Sequence, residues 1–367
     1  MADATLARLP LHDRHVAAGA RFAPFAGYEM PTRFTTIREE HMAVRTGAGI
    51  FDVSHMGEVF VRGADAVAAV DGLISNHLGA LADGRALYTV MCRPDGGIVD
   101  DLIVYRFSAE EVLIVVNAAN RAKDVAWIRD HIEGDVTVTD ETDAWVQLAV
   151  QGPKARGIVA AAAGFDTNAI APFAVQRGDV AGTPSIVART GYTGEDGFEL
   201  YLPAAGAGAV YDRLMDAADA HGGLASIGLG ARDSLRLEAR LMLYGNDIDE
   251  TTNPYEAGLG WVVKLDAGPF IGRDALAAIK AEGPARRLRG LVLEGRGMLR
   301  TGYDVAIDGT VVGRVTSGSL GFCAGDVPIG LAYIDRAHTD AEQVDVLIRN
   351  RAVPARVTRK PFYRRAS

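Results

Sequence analysis

The chain has 367 residues, is 49% hydrophobic and 23% charged, and carries a net charge of −9. That length exceeds one ordinary core and predicts two or three domains, and this composition is that of a folded protein. The acidic balance argues against a coat for nucleic acid or membrane, both of which need a broad basic surface. Two cysteines far apart, Cys92 and Cys323, exclude a disulfide framework and a Cys-x-x-Cys centre.

No apolar stretch is long enough to span a bilayer. Residues 1–10 lack a basic head followed by an apolar run, so no secretory leader is expected. The aromatic stretch 24–31 reads as an irregular loop. Thr36-Ile37-Arg38-Glu39 has the capping-box spacing and predicts a helix ending near Gly47–Gly49. Residues 58–62 alternate as a strand, and 64–73 form a short apolar helix. Pro94-Asp95-Gly96-Gly97 is turn chemistry. A strand over 101–107, a four-residue turn over 108–111 and a strand over 112–116 follow as a hairpin. Period two puts Asp101, Ile103, Tyr105 and Phe107 on one face and sends Asp100 to the other, with Asn117 level with Asp101 or Leu102.

Helices are expected at 124–131, 154–163, 208–221, 231–243 and 274–280. Strands are expected at 145–150, 185–188 and 198–202. After Leu288 the texture becomes short strands with Gly or Asp turns, at 288–293, 304–307, 311–316, 330–334, 344–348 and 355–358. That predicts an all-β C-terminal domain beginning after a boundary at 282–287.

Four features carry chemistry. Asp101 opens an apolar strand beside a Gly-Gly turn. It bears two readings, a turn aspartate capping backbone N–H groups or a carboxylate tuned by the aromatic face beside it. Residues 189–199 hold three glycines with Tyr192, Glu195, Asp196 and Glu199. The run contains no phosphate-loop lysine. It is either a hairpin turn with solvated acids or a close-approach loop. In the second reading Glu199 accepts two parallel hydrogen bonds from an amidine-like edge, such as that of a pterin.

Gly228-Leu229-Gly230 lacks the third glycine of a dinucleotide fingerprint, since Asp233 stands there. Its glycines let Arg232 sit at a helix start. Arg232 and Arg236 lie one turn apart on one face, where one of them can clamp a ligand carboxylate; the alternative is an ion pair to Asp233 or Glu238. The basic run Arg356, Arg359, Lys360, Arg364 and Arg365 is either a solvated tail or a contact for an acidic partner or a ligand's carboxylate tail. The eight histidines show no metal-ligand spacing, and Ser54-His55, read as strand neighbours on opposite faces, form no nucleophile–base dyad.

Taken together, these motifs resemble the aminomethyltransferase (T-protein) family of the glycine cleavage system. The likeness covers almost the whole chain: Phe25-Ala26-Gly27-Tyr28-Glu29-Met30-Pro31, Phe51-Asp52-Val53-Ser54-His55-Met56-Gly57, Gly96 to Asp101, Val116-Asn117-Ala118, Gln151-Gly152-Pro153, Arg189 to Glu199, and Gly228 to Glu238. Asn253-Pro254, Gly260-Trp261, Phe270-Ile271-Gly272, Thr316-Ser317-Gly318 and Pro361-Phe362-Tyr363 complete it.

The resemblance implies an α+β chain folded as a three-domain cloverleaf around a central folate site. Its N-terminal domains would be ferredoxin-like and antiparallel-sheet, and its C-terminal domain a β-barrel or jelly roll. The domains would span 1–50 with 140–280, then 51–139, and 285–367. It further implies Asp101 as the carboxylate near the folate amines and Tyr192 and Glu199 as pterin holders. Asn117, Tyr88, Tyr105 and Met56 would surround the pterin, with Arg232 toward the glutamate end. The co-substrate would be tetrahydrofolate, with no metal. The partner would be the acidic, transiently bound lipoylated H-protein, and the enzyme a cytoplasmic monomer without nucleic-acid or membrane partners. Tyr28 stands where the family usually has Trp, Gly321-Phe322 where it has Ser-Pro, and Leu241 where some members have an aromatic, which puts the pocket rim in question. A folate-binding regulatory module without catalysis is the competing expectation from another functional class.

Overall fold

The computed structural model describes residues 6–349 and 351–365. The first five residues of the stretch read for a leader lie outside the described residues. The chain divides into two compact units, one taking the chain up to Asp71 with Leu78–Tyr88 and Leu102–Arg232, the other Gly72–His77, Thr89–Asp101 and everything from Asp233 on.

The first unit is framed by a six-stranded sheet, ordered Val175–Val180, Thr183–Ala188, Gly197–Pro203, Trp145–Gln151, Gly49–Asp52 and Ala225–Ser226. Only the last pairing is parallel. Alternation sorts its side chains. Val146, Leu148, Val150, Phe198, Leu200 and Leu202 point to one face, where Ile158 and Val159 of helix Ala155–Ala162 and Val210 and Leu214 of helix Ala207–Ala218 cover them. The opposite face meets a five-stranded sheet, ordered Arg85–Cys92, Ile98–Ser108, Glu111–Val116, Gly57–Arg62 and Thr137–Asp140. Phe60, Tyr105, Leu113 and Val115 of that sheet pack with Ile186, Ala188 and Tyr201 of the first, a face-to-face sandwich of two sheets.

The capping box forms as expected. Thr36 caps helix Ile37–Thr46, with the Glu39 side chain returning to the Thr36 backbone N–H. Four expectations need correction. The supposed loop at 24–31 is a hairpin of Arg21–Phe25 and Tyr28–Arg33. Its two-residue turn has Ala26 at φ 48° and Gly27 at φ 83°, the left-handed pair that matches strand twist. The 101–107 strand begins earlier, at Ile98, so Asp101 is its fourth residue. The turn after it has two residues, because Ser108 pairs with Glu111. Ile103 opposite Val115 carries Asn117 just past the level of Leu102, inside the expected range. Ser54 and His55 lie in the turn between Gly49–Asp52 and Gly57–Arg62, not in a strand.

In the second unit the all-β C-terminal region closes into a barrel, ordered Arg286–Leu293, Val327–Asp335, Thr310–Gly321, Asp304–Ile307, Gln343–Ile348 and Arg351–Thr358. Leu291, Val305, Val315, Ile334 and Val346 fill it. The helix expected at 231–243 is Leu229–Glu238. Arg240 takes φ 58°, and the N–H groups of Arg240 and Leu241 return to the carbonyls of Leu237 and Arg236, a Schellman ending made without glycine. Among the described residues no helix is long and apolar enough to cross a membrane. The chain is thus mixed α+β, with several sheets and a C-terminal barrel, as expected.

Candidate active site

Polar side chains of the first unit converge on the layer between its two sheets. Glu199 and Tyr201, on Gly197–Pro203, alternate with the apolar residues that face the helices, so both look into that layer. Gln147, opposite Tyr201 on the neighbouring strand, does the same. Glu199 is buried and fully engaged on its protein side. The Gln147 amide donates to Oε1 at 2.9 Å, and the Thr190 hydroxyl donates to Oε2 at 2.5 Å. The Tyr105 hydroxyl reaches Thr190 at 2.8 Å and Tyr201 at 3.1 Å. Burial, with Glu199 adding to it, raises both phenols well above their ordinary range and keeps them as neutral hydroxyls.

Loop 189–199 arches over this network. The backbone runs so close to Gln151 that a Cβ at Gly191 would lie 2.0 Å from its amide oxygen. The loop acids are not solvated. Arg45 holds Glu195 at 2.9 Å and the Thr193 carbonyl at 2.7 Å. Arg189 holds Asp196 through two bonds of 2.9 and 2.5 Å. The loop is therefore fixed by ion pairs, and Tyr192 projects from it half-buried.

Arg232 stacks on Tyr192, with the guanidinium carbon 4.7 Å from the ring centroid. Among the described residues it makes no ion pair and no side-chain hydrogen bond. Burial pulls its pKa down, against the upward pull of Tyr192 and Glu199. The glycines before it serve close approach. Gly228 donates to Glu40 at 2.8 Å, and a Cβ there would lie 2.3 Å from the backbone of Thr32. His55 is buried, with its ring edge-on to Phe25 and Tyr28. Burial first, then repulsion by Arg232, lowers its pKa to about 3, so it stays neutral at physiological pH.

Of the residues expected at the site, Tyr105 and Glu199 share one network, Met56 packs against the same apolar layer, and Tyr192 and Arg232 form a stacked pair. Tyr88 is half-buried, on the same face of its strand as Ala86. Asn117 is half-buried at the start of a short 3-10 turn. Asp101 is half-buried, while its neighbour Asp100 is fully buried on the opposite face of the strand. Arg236 takes the structural alternative, pairing with Asp233 at 2.8 Å and Asp247 at 2.5 Å. The C-terminal basic residues are exposed, with Arg356 facing Glu294 and Arg359 facing Asp340. Sequence reasoning missed Gln147, Thr190, Tyr201 and Glu58. The available signal was a glutamine recurring at 147 and 151 inside an otherwise apolar strand.

A family model, the GCVT N-terminal domain, matches residues 11–267, and the glycine cleavage T-protein C-terminal barrel domain matches 286–364. The chain is 44% identical to an aminomethyltransferase of Bacillus subtilis over 98% of this chain and all of that protein. It is 47% identical to an aminomethyltransferase of Rubrobacter xylanophilus over all of this chain and 96% of that one. The crystal structure of the glycine cleavage system aminomethyltransferase T from Bartonella henselae matches with a TM-score of 0.91 at 33% identity, over 98% of both chains. The chain therefore belongs to the aminomethyltransferase, or T-protein, family of the glycine cleavage system.

Proposed function

We propose that this transferase moves the one-carbon unit of an aminomethyl group from the lipoyl arm of the H-protein to tetrahydrofolate, as a cytoplasmic monomer. In that reaction the carbon leaves sulfur and nitrogen and forms two bonds to folate nitrogens. One folate N–H proton goes to the thiol and one to ammonia. The products are 5,10-methylenetetrahydrofolate, ammonia and the dihydrolipoyl form.

The observation that carries the reading is the pairing of a fixed buried acceptor with a stacked cation that has no ion pair among the described residues. Glu199 is held by Gln147 and Thr190, as recognition of an amine-bearing heterocycle edge requires. Arg232 rests on Tyr192 with its guanidinium donors unspent among the described residues, which suits a carboxylate of the same ligand. We assign Asn117, Tyr88, Tyr105 and Met56 to the surroundings of the pterin. We assign Asp101 to orienting the folate amine and stabilising positive charge as it develops at the transferred carbon. No protein nucleophile and no metal enter the reaction.

The test is ammonia release from aminomethylated H-protein with tetrahydrofolate. Turnover is expected for the natural protein. Asp101→Asn should lose roughly a hundredfold or more in kcat with little change in tetrahydrofolate affinity. Folate binding without ammonia release by the natural protein would favour a regulatory module, and near-normal turnover of Asp101→Asn would remove Asp101 from its role.

A further inference from the structure

Glu58 is a buried group that the reaction leaves unused. It lies on Gly57–Arg62, where alternation puts it on the face of Phe60, in the layer that also holds Tyr105, Tyr201 and Glu199. It is 1% exposed, and neither carboxyl oxygen has a hydrogen-bond donor among the described residues. Its backbone is pinned beside the entry to the Gln147 strand, since the Glu58 N–H donates to Thr142 Oγ1 at 3.0 Å and the Glu141 N–H donates to the Glu58 carbonyl at 2.9 Å. Gln147 has the complementary defect. It spends its amide on Glu199 at 2.9 Å and on the Tyr201 hydroxyl at 3.2 Å, and its carbonyl oxygen is buried without a donor among the described residues.

Resting on the reading of Glu199 as the pterin acceptor, we propose that Glu58 is a positioning residue. As a neutral acid it donates its proton to the Gln147 carbonyl, which turns the Gln147 amide onto Glu199 and fixes that carboxylate for the ligand. One proton thereby engages the Gln147 oxygen and one of the two Glu58 oxygens, in a layer where each orphan costs about 1–3 kcal/mol. An ionised Glu58 would instead attract the Gln147 amide and turn it away from Glu199.

The surroundings support the neutral form. Burial is the largest influence and raises the Glu58 carboxyl well above the usual range. Asp140 on Thr137–Asp140 and Glu199 push it further up, while Arg121 on Arg121–His131 opposes. Arg121 is itself tied to Asp140 at 2.9 Å and Asp143 at 3.0 Å. The other titratable groups of the layer, Tyr105 and Tyr201, are neutral phenols.

Infrared difference spectra of the ligand-free protein at neutral pH should show a carboxylic-acid carbonyl band that Glu58→Gln removes; absence of such a band overturns the proposal without touching the folate reading. In turnover, Glu58→Leu should raise KM for tetrahydrofolate about tenfold with kcat retained, the loss of one charge-linked hydrogen bond. Glu58→Gln, a neutral donor of the same shape, should restore most of it. The natural protein should lose tetrahydrofolate affinity at alkaline pH as Glu58 ionises, and Glu58→Gln should not. Equal KM for Glu58→Leu and the natural protein, or no rescue by Glu58→Gln, sinks the proposal. Should Glu58→Leu fail to fold, the infrared band and the alkaline limb of Glu58→Gln decide. Glu199→Gln separates the two ideas, because an unchanged KM there removes the pterin role of Glu199 while the infrared result for Glu58 stands.

Discussion

Arg236 of the second unit donates to Asp233, Asp247, the Leu241 carbonyl and Ser317, all within 3.2 Å. Asp247 in turn accepts from Leu243 and Thr316, so this charge cluster closes on itself. In the first unit, among the described residues, Arg232 has only a ring to rest on and His55 leaves Nδ1 without a partner. The arginines are four residues apart on one helix. Closed networks fix a fold, whereas open ones hold hydrogen-bonding capacity that something else must meet.

The sharpest way to break this contrast is to remove each arginine in turn. Arg236→Met should destabilise by about 3–5 kcal/mol, because it leaves fully buried Asp247 without its cation. Thermal or urea unfolding measures it, and a loss under about 1 kcal/mol would mean the network is not structural. Arg232→Met should leave the melting temperature unchanged or higher, since it deletes a desolvated charge that has no ion pair among the described residues. Tetrahydrofolate affinity should meanwhile fall by about 1.5–3 kcal/mol, the worth of a hydrogen bond to a charged group. Titration calorimetry checks it. An Arg232→Met protein that melts as early as Arg236→Met would erase the distinction.

The capping box at 36–39, the 101–116 hairpin and the six barrel strands were legible because their signals are local: a cap, a turn, a period. Strand Val175–Val180 was not, since it is an edge strand carrying Gln176, Arg177 and Asp179 in an exposed middle. Arg85–Cys92 was missed although nearly all of it is buried. The end of Leu229–Glu238 was hidden because Arg240 fills a position that usually announces itself as glycine. The site divides the same way. Glu199 and Arg232 stood in loops and helix starts dense with glycine, whereas Glu58 and Gln147 sit inside ordinary alternating strands. Alternation ordinarily places such polar positions in water, and only the second sheet, a long-range partner, reveals that both faces are covered.

The mildest test concerns His55. Folded, its pKa lies near 3; unfolded, it returns to about 6.5. Above pH 6.5 both states are neutral and His55 adds no pH dependence. As pH falls from 6.5 toward 3, the unfolded chain binds a proton the folded one refuses, so stability drops by up to about 1.4 kcal/mol per pH unit. His55→Phe keeps a ring against Phe25 and Tyr28 without titrating, so its melting temperature should fall less steeply across that window. Matching slopes would mean His55 is protonated in the fold. Arg232→Met should raise the low-pH edge of that window and so relieve part of the total loss, because Arg232 is the second cause of the lowered pKa. It should not abolish it, because burial is the first. That fractional relief measures how strongly the unpaired guanidinium acts on the buried imidazole.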